Sequence, residues 1–149
     1  MFNIVLVEPE IPPNTGNIAR LCAATCSRLY LVGSLGFSLD EKHLKRAGLD
    51  YWDKVDLHLA DSLEMLWQNA DKDSTFYYLS TKVTRSYTDA RFKRGDYLVF
   101  GKETKGLSAE LLKEHANTAL TIPMTGEVRS INLATSVGVV LYEAIRQTQ

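Results

Sequence analysis

Three short stretches place polar and charged side chains where an apolar strand gives way to a helix. The first is V-E-P-E-I-P-P-N-T-G-N-I-A-R, residues 7–20. Pro12 and Pro13 fix the backbone leading into Asn14, and Gly16 permits close approach by a ligand. Arg20 falls within the first two turns of the helix that follows. A guanidinium there could hold a phosphate in a two-pronged contact, or make a surface ion pair. The second stretch is Y-L-V-F-G-K-E-T-K-G-L-S, residues 97–108. Gly101 lies at the carboxyl end of a strand, where ligands sit in parallel α/β sheets. Glu103 could accept hydrogen bonds from a ligand or tie down the loop. The third is L-T-I-P-M-T-G-E-V-R-S-I-N-L-A-T-S, residues 120–136. Ser130 and Asn132 are polar groups close to an apolar interior, and such groups need partners. Ser130 could cap the next helix, or contact a ligand.

Several other chemistries are excluded. No G-x-G-x-x-G follows the first strand, so the dinucleotide-binding turn is missing. There is no G-x-x-x-x-G-K-[ST] and no G-x-S-x-G. Cys22 and Cys26 stand four apart on one helix face, but His43, His58 and His115 are scattered, so no zinc set forms. Both cysteines are expected as partly buried thiols.

These stretches need elements to position them. The chain has 149 residues, 45% of them hydrophobic, which suits one domain (residues 1–149) with a full-sized core. Strands are expected at Phe2–Val7, Arg28–Val32, Lys54–Leu59, Thr75–Ser80, Tyr97–Phe100 and Ala119–Ile122. Helices are expected at Thr15–Thr25, Asp40–Arg46, Ser62–Asn69, Ala109–His115 and from Ile131 to Arg146, with Asn14, Asp61 and Ser108 as caps. The alternation predicts an α/β fold with a mostly parallel sheet flanked by helices. The last helix is apolar on nearly every side, which predicts burial against the sheet on one side and a second subunit on the other. No apolar run is long enough to span a bilayer, and the start does not read as a signal peptide, so a cytoplasmic protein is expected.

Net charge is −1 and the isoelectric point about 6.3, unlike a generic nucleic-acid coat protein. Basic residues nevertheless cluster at 41–48, 90–95 and 101–106, and local field depends on distribution rather than on the total.

Together, N-T-G-N-I-A-R, F-G-K-E-T-K-G-L and I-P-M-T-G-E-V-R-S-I-N-L-A-T-S-V-G resemble the three motifs of the SPOUT superfamily of RNA methyltransferases, over essentially the whole chain. The short length and the start look most like its minimal branch, the TrmL family of tRNA wobble-nucleotide 2′-O-methyltransferases. The resemblance implies a C-terminal deep trefoil knot, a homodimer and S-adenosyl-L-methionine as cofactor, with S-adenosyl-L-homocysteine as product. It implies a cofactor pocket at Leu79, Ser80, Thr81, Gly101, Glu103, Ile122, Met124, Ser130 and Leu133, and no metal. The implied catalytic set is Asn14 shaping the substrate-side loop, Arg20 acting on ribose and phosphate, Glu103 bracing the site, and Ser130 and Asn132 fixing the knot loop. The implied substrate is cytidine or uridine 34 in the anticodon stem-loop of tRNA, leucine tRNAs among them. Guanidinium normally keeps its proton, so Arg20 is expected to grip the phosphate and stabilise the oxyanion rather than act as base. Lys42, Lys45, Arg46, Arg91, Lys93, Arg94, Lys102, Lys105 and Arg129 are the candidate RNA contacts. Methylation of another tRNA or ribosomal RNA site, and a nonenzymatic RNA-binding module, are the alternatives.

Overall fold

The computed structural model describes residues 1–40, 42, 46 and 52–149. The chain runs β1 (Asn3–Val7), α1 (Pro12–Thr25), β2 (Arg28–Val32), β3 (Asp56–Ala60), α2 (Leu63–Asn69), β4 (Phe76–Leu79), β5 (Tyr97–Phe100), α3 (Ala109–Glu114), β6 (Ala119–Leu120) and α4 (Leu133–Thr148). Single 3-10 turns lie at Trp52–Lys54, Tyr87–Asp89 and Ala116–Thr118. The helix expected at Asp40–Arg46 lies largely outside the described residues, as does Lys45.

The strands form one sheet in the order β3-β2-β1-β5-β4-β6, and every pairing is parallel. Ile4, Val5 and Leu6 of the central β1 are all fully buried. Strand residues alternate faces, so such continuous burial requires cover on both sides. One face, with Ile4, Leu6, Leu29, Leu31, Leu98 and Phe100, packs under α1 and α4 through Ile18, Val137, Val140 and Leu141. The other, with Val5, Tyr78, Tyr97 and Val99, packs under α2 and α3 through Leu63, Leu66 and Leu112.

From β1 the chain steps outward to β2 and β3, then crosses to the other half of the sheet. The helix after β1 covers one face and the helix after β5 the other. Adjacent strands with that property open a crevice at their carboxyl ends, the usual ligand position in open α/β sheets.

Three helix starts differ from expectation. Helix α1 begins at Pro12, with Ile11 as N-cap, so Asn14 sits inside the first turn and caps nothing. Prolines fit there because the first amides of a helix have no partner inside it. Helix α4 begins at Leu133 rather than Ile131; Asn132, not Ser130, is its cap, accepting from the Thr135 amide at 3.2 Å. At α2 the capping position is Ser62 rather than Asp61, without a side-chain bond; Ser108 does cap α3. Strand β3 starts two residues late because Trp52–Lys54 is a turn. The last strand stops at Leu120, and Thr121 instead bridges to Ser86.

One face of α4 is buried, and the other is not. Val137, Val140, Leu141 and Ala144 are fully covered, whereas Tyr142 is 53% exposed. Among the described residues, no helix is long and apolar enough to cross a membrane.

Candidate active site

Strand β1 leaves the sheet through Glu8, which adopts a left-handed backbone (φ 50°). Non-glycine residues seldom do so, and such strain concentrates at functional sites. The turn carries Pro9, Glu10 and Ile11 toward the loop that follows β5. That loop is tightly folded: the Gly106 amide donates to the Lys102 carbonyl at 2.8 Å. A Cβ on Gly101 would lie 2.2 Å from the Gly106 carbonyl carbon and 2.3 Å from the Leu107 nitrogen. Gly101 is thus required by the crossing of its own chain.

Glu103 joins the two loops. Its Oε1 accepts from the Glu10 amide at 2.9 Å, and its Oε2 from the Ile11 amide at 2.7 Å and the Asn14 side-chain amide at 3.3 Å. A carboxylate accepts only, so Asn14 must turn its Nδ2 toward it. Asn14 Oδ1 is then left to accept from Asn132 Nδ2, at 2.9 Å. Asn132 in turn points its Oδ1 at the free amide of α4. Each group in the row has one compatible orientation. Asn14 is the buried member, Glu103 is half-buried and Asn132 is exposed, so the row matters most at Asn14, whose two partners satisfy it. Asn14 is 7% exposed, so loss of either partner leaves a buried amide unpaired.

Glu10 and Thr104 make a second link, in the opposite sense. The Thr104 amide and hydroxyl donate to Glu10 Oε1 at 3.1 and 2.7 Å. These bonds, the hydroxyl's first, hold the Glu10 carboxyl below its ordinary range. Lys82 secures the far side of the loop, donating to the carbonyls of Lys105 and Leu107 at 3.0 and 2.8 Å. The sequence gives little signal for either residue, because their partners lie far along the chain.

These loops enclose a cavity of about 540 Å³, well within the range of small-molecule sites. Leu79, Ser80, Thr81, Gly101, Glu103, Ile122, Met124, Ser130 and Leu133 all line it, as do Asn14 and Asn132. Ile11, Lys82, Phe100, Thr104 and Ser136 also line it and were not anticipated. Arg20 does not; it lies on the exposed side of α1, beyond Asn14. Leu79, Phe100, Ile122, Met124 and Leu133 give the cavity an apolar wall. Ser80, Thr81 and Ser130 add hydroxyls, and residues 122–131 bring backbone that belongs to no helix or strand. The arrangement suits an amphipathic ligand with several hydrogen-bonding groups.

Some candidate cations already have partners. Lys102 faces Glu8 at 4.0 Å, Lys93 pairs with Asp96 at 3.7 Å, and Arg94 donates to the Thr148 carbonyl. Lys42, Arg46, Arg91, Lys105 and Arg129 are exposed. The cysteines differ from each other: Cys22 is buried, which pushes its thiol up to about 12, and Cys26 is exposed. Among the described residues, no His, Cys, Asp and Glu group is placed to hold a metal.

Known proteins share this sequence and shape. The chain is 50% identical to the tRNA (cytidine(34)-2′-O)-methyltransferase of Saccharophagus degradans, over 99% of this chain and 96% of that protein. It is 46% identical to the enzyme of the same name from Yersinia pestis, over 99% and 94%. A solved structure described as giving structural insights into the 2-OH methylation of C/U34 on tRNA superposes with a TM-score of 0.93, at 48% identity over 99% of this chain and 95% of that one. An AdoMet-bound rRNA methyltransferase from Sinorhizobium meliloti superposes at 0.86, with 26% identity, over 99% of this chain and 57% of that one. The SpoU rRNA Methylase family matches residues 1–142. With a match over nearly its whole length, the chain belongs to the SpoU methylase family.

Proposed function

We propose that this protein transfers a methyl group from S-adenosyl-L-methionine to the ribose 2′-hydroxyl of nucleotide 34 in tRNA, releasing S-adenosyl-L-homocysteine. The observation that carries the reading is the Glu103–Asn14–Asn132 row. It locks the wall of an amphipathic cavity to the start of α1, the helix that bears Arg20. The near full-length relatives named for this reaction support the choice of substrate.

The cavity fits the cofactor. Leu79, Ile122, Met124 and Leu133 offer apolar surface to an adenine ring. The hydroxyls of Ser80, Thr81 and Ser130 and the peptide groups around them offer partners to ribose and amino-acid groups. When bound, the cofactor supplies an electrophilic methyl group on a sulfonium. Glu103, Asn14 and Asn132 fix the loops, and alignment of the hydroxyl supplies much of the rate. Arg20 grips the phosphate beside the target ribose and stabilises the charge that develops on its oxygen. Phosphate or solvent takes the proton, since a guanidinium does not give one up.

The same reading extends to the assembly, as one SPOUT domain with a knotted end, acting as a cytoplasmic homodimer on the anticodon stem-loop. Support for the knot is that the segment after β4 grips the C-terminal part of the chain. The Tyr87 amide donates to the Thr121 carbonyl and the Thr121 amide to the Arg85 carbonyl, at 2.9 and 2.7 Å. The Phe92 amide donates to the Gln147 side chain at 2.8 Å. Support for the dimer is the open side of α4, where Val139 and the half-exposed Tyr142 follow one another at helical spacing.

The test is methyl transfer from labelled S-adenosylmethionine to unmodified tRNA, with the labelled nucleotide mapped. Wild type labels the ribose of nucleotide 34. Arg20→Ala binds S-adenosylhomocysteine as wild type does and loses transfer by roughly a hundredfold or more, the scale of one lost transition-state contact. Label elsewhere overturns the choice of nucleotide, and full activity in Arg20→Ala overturns the role of Arg20.

A further inference from the structure

The loop after β5, which walls the cavity, is held by residues from other parts of the chain. Its carbonyls at 105 and 107 accept from Lys82, and its donors at Thr104 go to Glu10. Glu10 is a firm anchor. Glu8 turns the chain just before it with a left-handed backbone. The Gly36 amide donates to the Pro9 carbonyl at 2.9 Å. Gly36 packs so closely that a Cβ there would lie 2.9 Å from Glu10 Cα. Prolines 12 and 13 stiffen the stretch that follows. Glu10 and the 103–104 pair then exchange bonds in both directions. The Glu10 amide donates to the Glu103 side chain, and the Thr104 amide and hydroxyl donate to the Glu10 side chain.

We propose that Glu10 is a positioning residue for the cofactor, its carboxylate setting the 102–106 loop in the conformation that closes the cavity. The proposal rests on reading that cavity as the S-adenosylmethionine site. Glu10 acts through Thr104 and touches no reacting atom. The rigid segment is the template and the loop is the copy: a supporting contact to an immobile partner is what keeps a binding wall in place before its ligand arrives. The segment that leads into α1, on the substrate side, thereby also sets cofactor affinity, in the absence of any RNA.

The test is calorimetric titration of S-adenosylhomocysteine into RNA-free protein, alongside amide exchange at Thr104 in the unliganded state. Glu10→Ala weakens binding by roughly threefold to tenfold, as expected for loss of charge-assisted bonds that order a loop. The Thr104 amide exchanges faster, while the melting temperature stays close to that of wild type. Glu10→Gln keeps a carbonyl acceptor and restores most of both readouts. Thr104→Val loses the 2.7 Å bond and weakens binding less, and it adds nothing in the Glu10→Ala background because the two share one interaction. Additive losses, or wild-type affinity in Glu10→Ala, overturn the proposal. Unchanged exchange at Thr104 in Glu10→Ala overturns the clasp itself. Failure of wild type to bind S-adenosylhomocysteine overturns the reading of the cavity, and with it the role assigned to Glu10.

Discussion

Gly101→Ala tests whether the cavity wall depends on a close backbone crossing. The new Cβ would stand 2.2 Å from the Gly106 carbonyl carbon, 2.3 Å from the Leu107 nitrogen and 2.7 Å from Gly106 Cα. Ordinary contact begins near 3.4 Å, so the methyl group intrudes by more than an ångström. All three obstacles are backbone, and no side-chain rotation relieves them. The loop must move as a body, yet Glu10, Glu103 and Lys82 each hold it. Overpacking of this kind costs about 1–3 kcal/mol. For a chain of this size that lowers the melting temperature by roughly 3–10 °C. The sheet beneath stays folded, because β5 ends at Phe100 before the crossing. Cofactor affinity falls further than stability does, by about tenfold or more, since a displacement of this size ruins the fit of the wall. Gly126→Ala is the control. A Cβ there meets nothing within 4 Å, so both readouts should stay near wild type. Thermal melts and S-adenosylhomocysteine titrations of the two variants decide the matter. Gly101→Ala with wild-type melting and wild-type affinity would show that the loop yields freely, and the reasoning would fail.

Asn132→Ala removes the cap of α4 and the donor to Asn14 together, and urea denaturation should show a loss of about 1 kcal/mol or more. Asn132→Asp keeps an acceptor for the Thr135 amide but has no donor for Asn14 when ionised; it should keep the cap's share of the stability, still lose about 1 kcal/mol or more through the unpaired Asn14 oxygen, and lose methyl transfer. The Glu143 carboxyl, held by Arg146 first and then Gln147, is lowered from 4.5 to about 2. Its stabilisation is fully present above 4.5 and disappears as pH falls through about 2. Melting temperature followed across that window should fall less steeply in Glu143→Gln than in wild type, and identical slopes would dismiss the contribution.

The strands were legible because burial on both faces writes itself into continuous apolar runs, as in N-I-V-L-V at the sheet centre. The polar residues of the site were legible as candidates, because a glycine, an acid and two amides recur where strands end. Their pairing was not. Asn14 looked like a cap because amides favour helix starts. The decisive fact is that Glu103, far along the chain, takes its side-chain amide instead. Ser130 is the cap that the sequence offers for α4; the non-helical backbone at Asn132 and its bond from the Thr135 amide give that place to Asn132. Glu10 carried no signal at all, since a lone acid in a loop is ordinarily solvated.

The stiffness of residues 8–14 then has a physical reason. Two loops that meet at a cavity cannot both be flexible if the cavity is to keep its shape. The loop after β5 contains Gly101 and Gly106, the latter at φ +65°, and has little conformational preference of its own. The facing segment has Pro9, Pro12 and Pro13, a left-handed turn at Glu8 and a close contact with Gly36. Prolines that match the folded backbone lower the entropy lost on ordering. The rigid partner therefore fixes the pliant one, through Glu10 and Glu103, at small entropic cost. A glycine-rich cradle in place of residues 8–14 would leave both sides of the crevice pliant, and the loop after β5 would have nothing fixed to hold it.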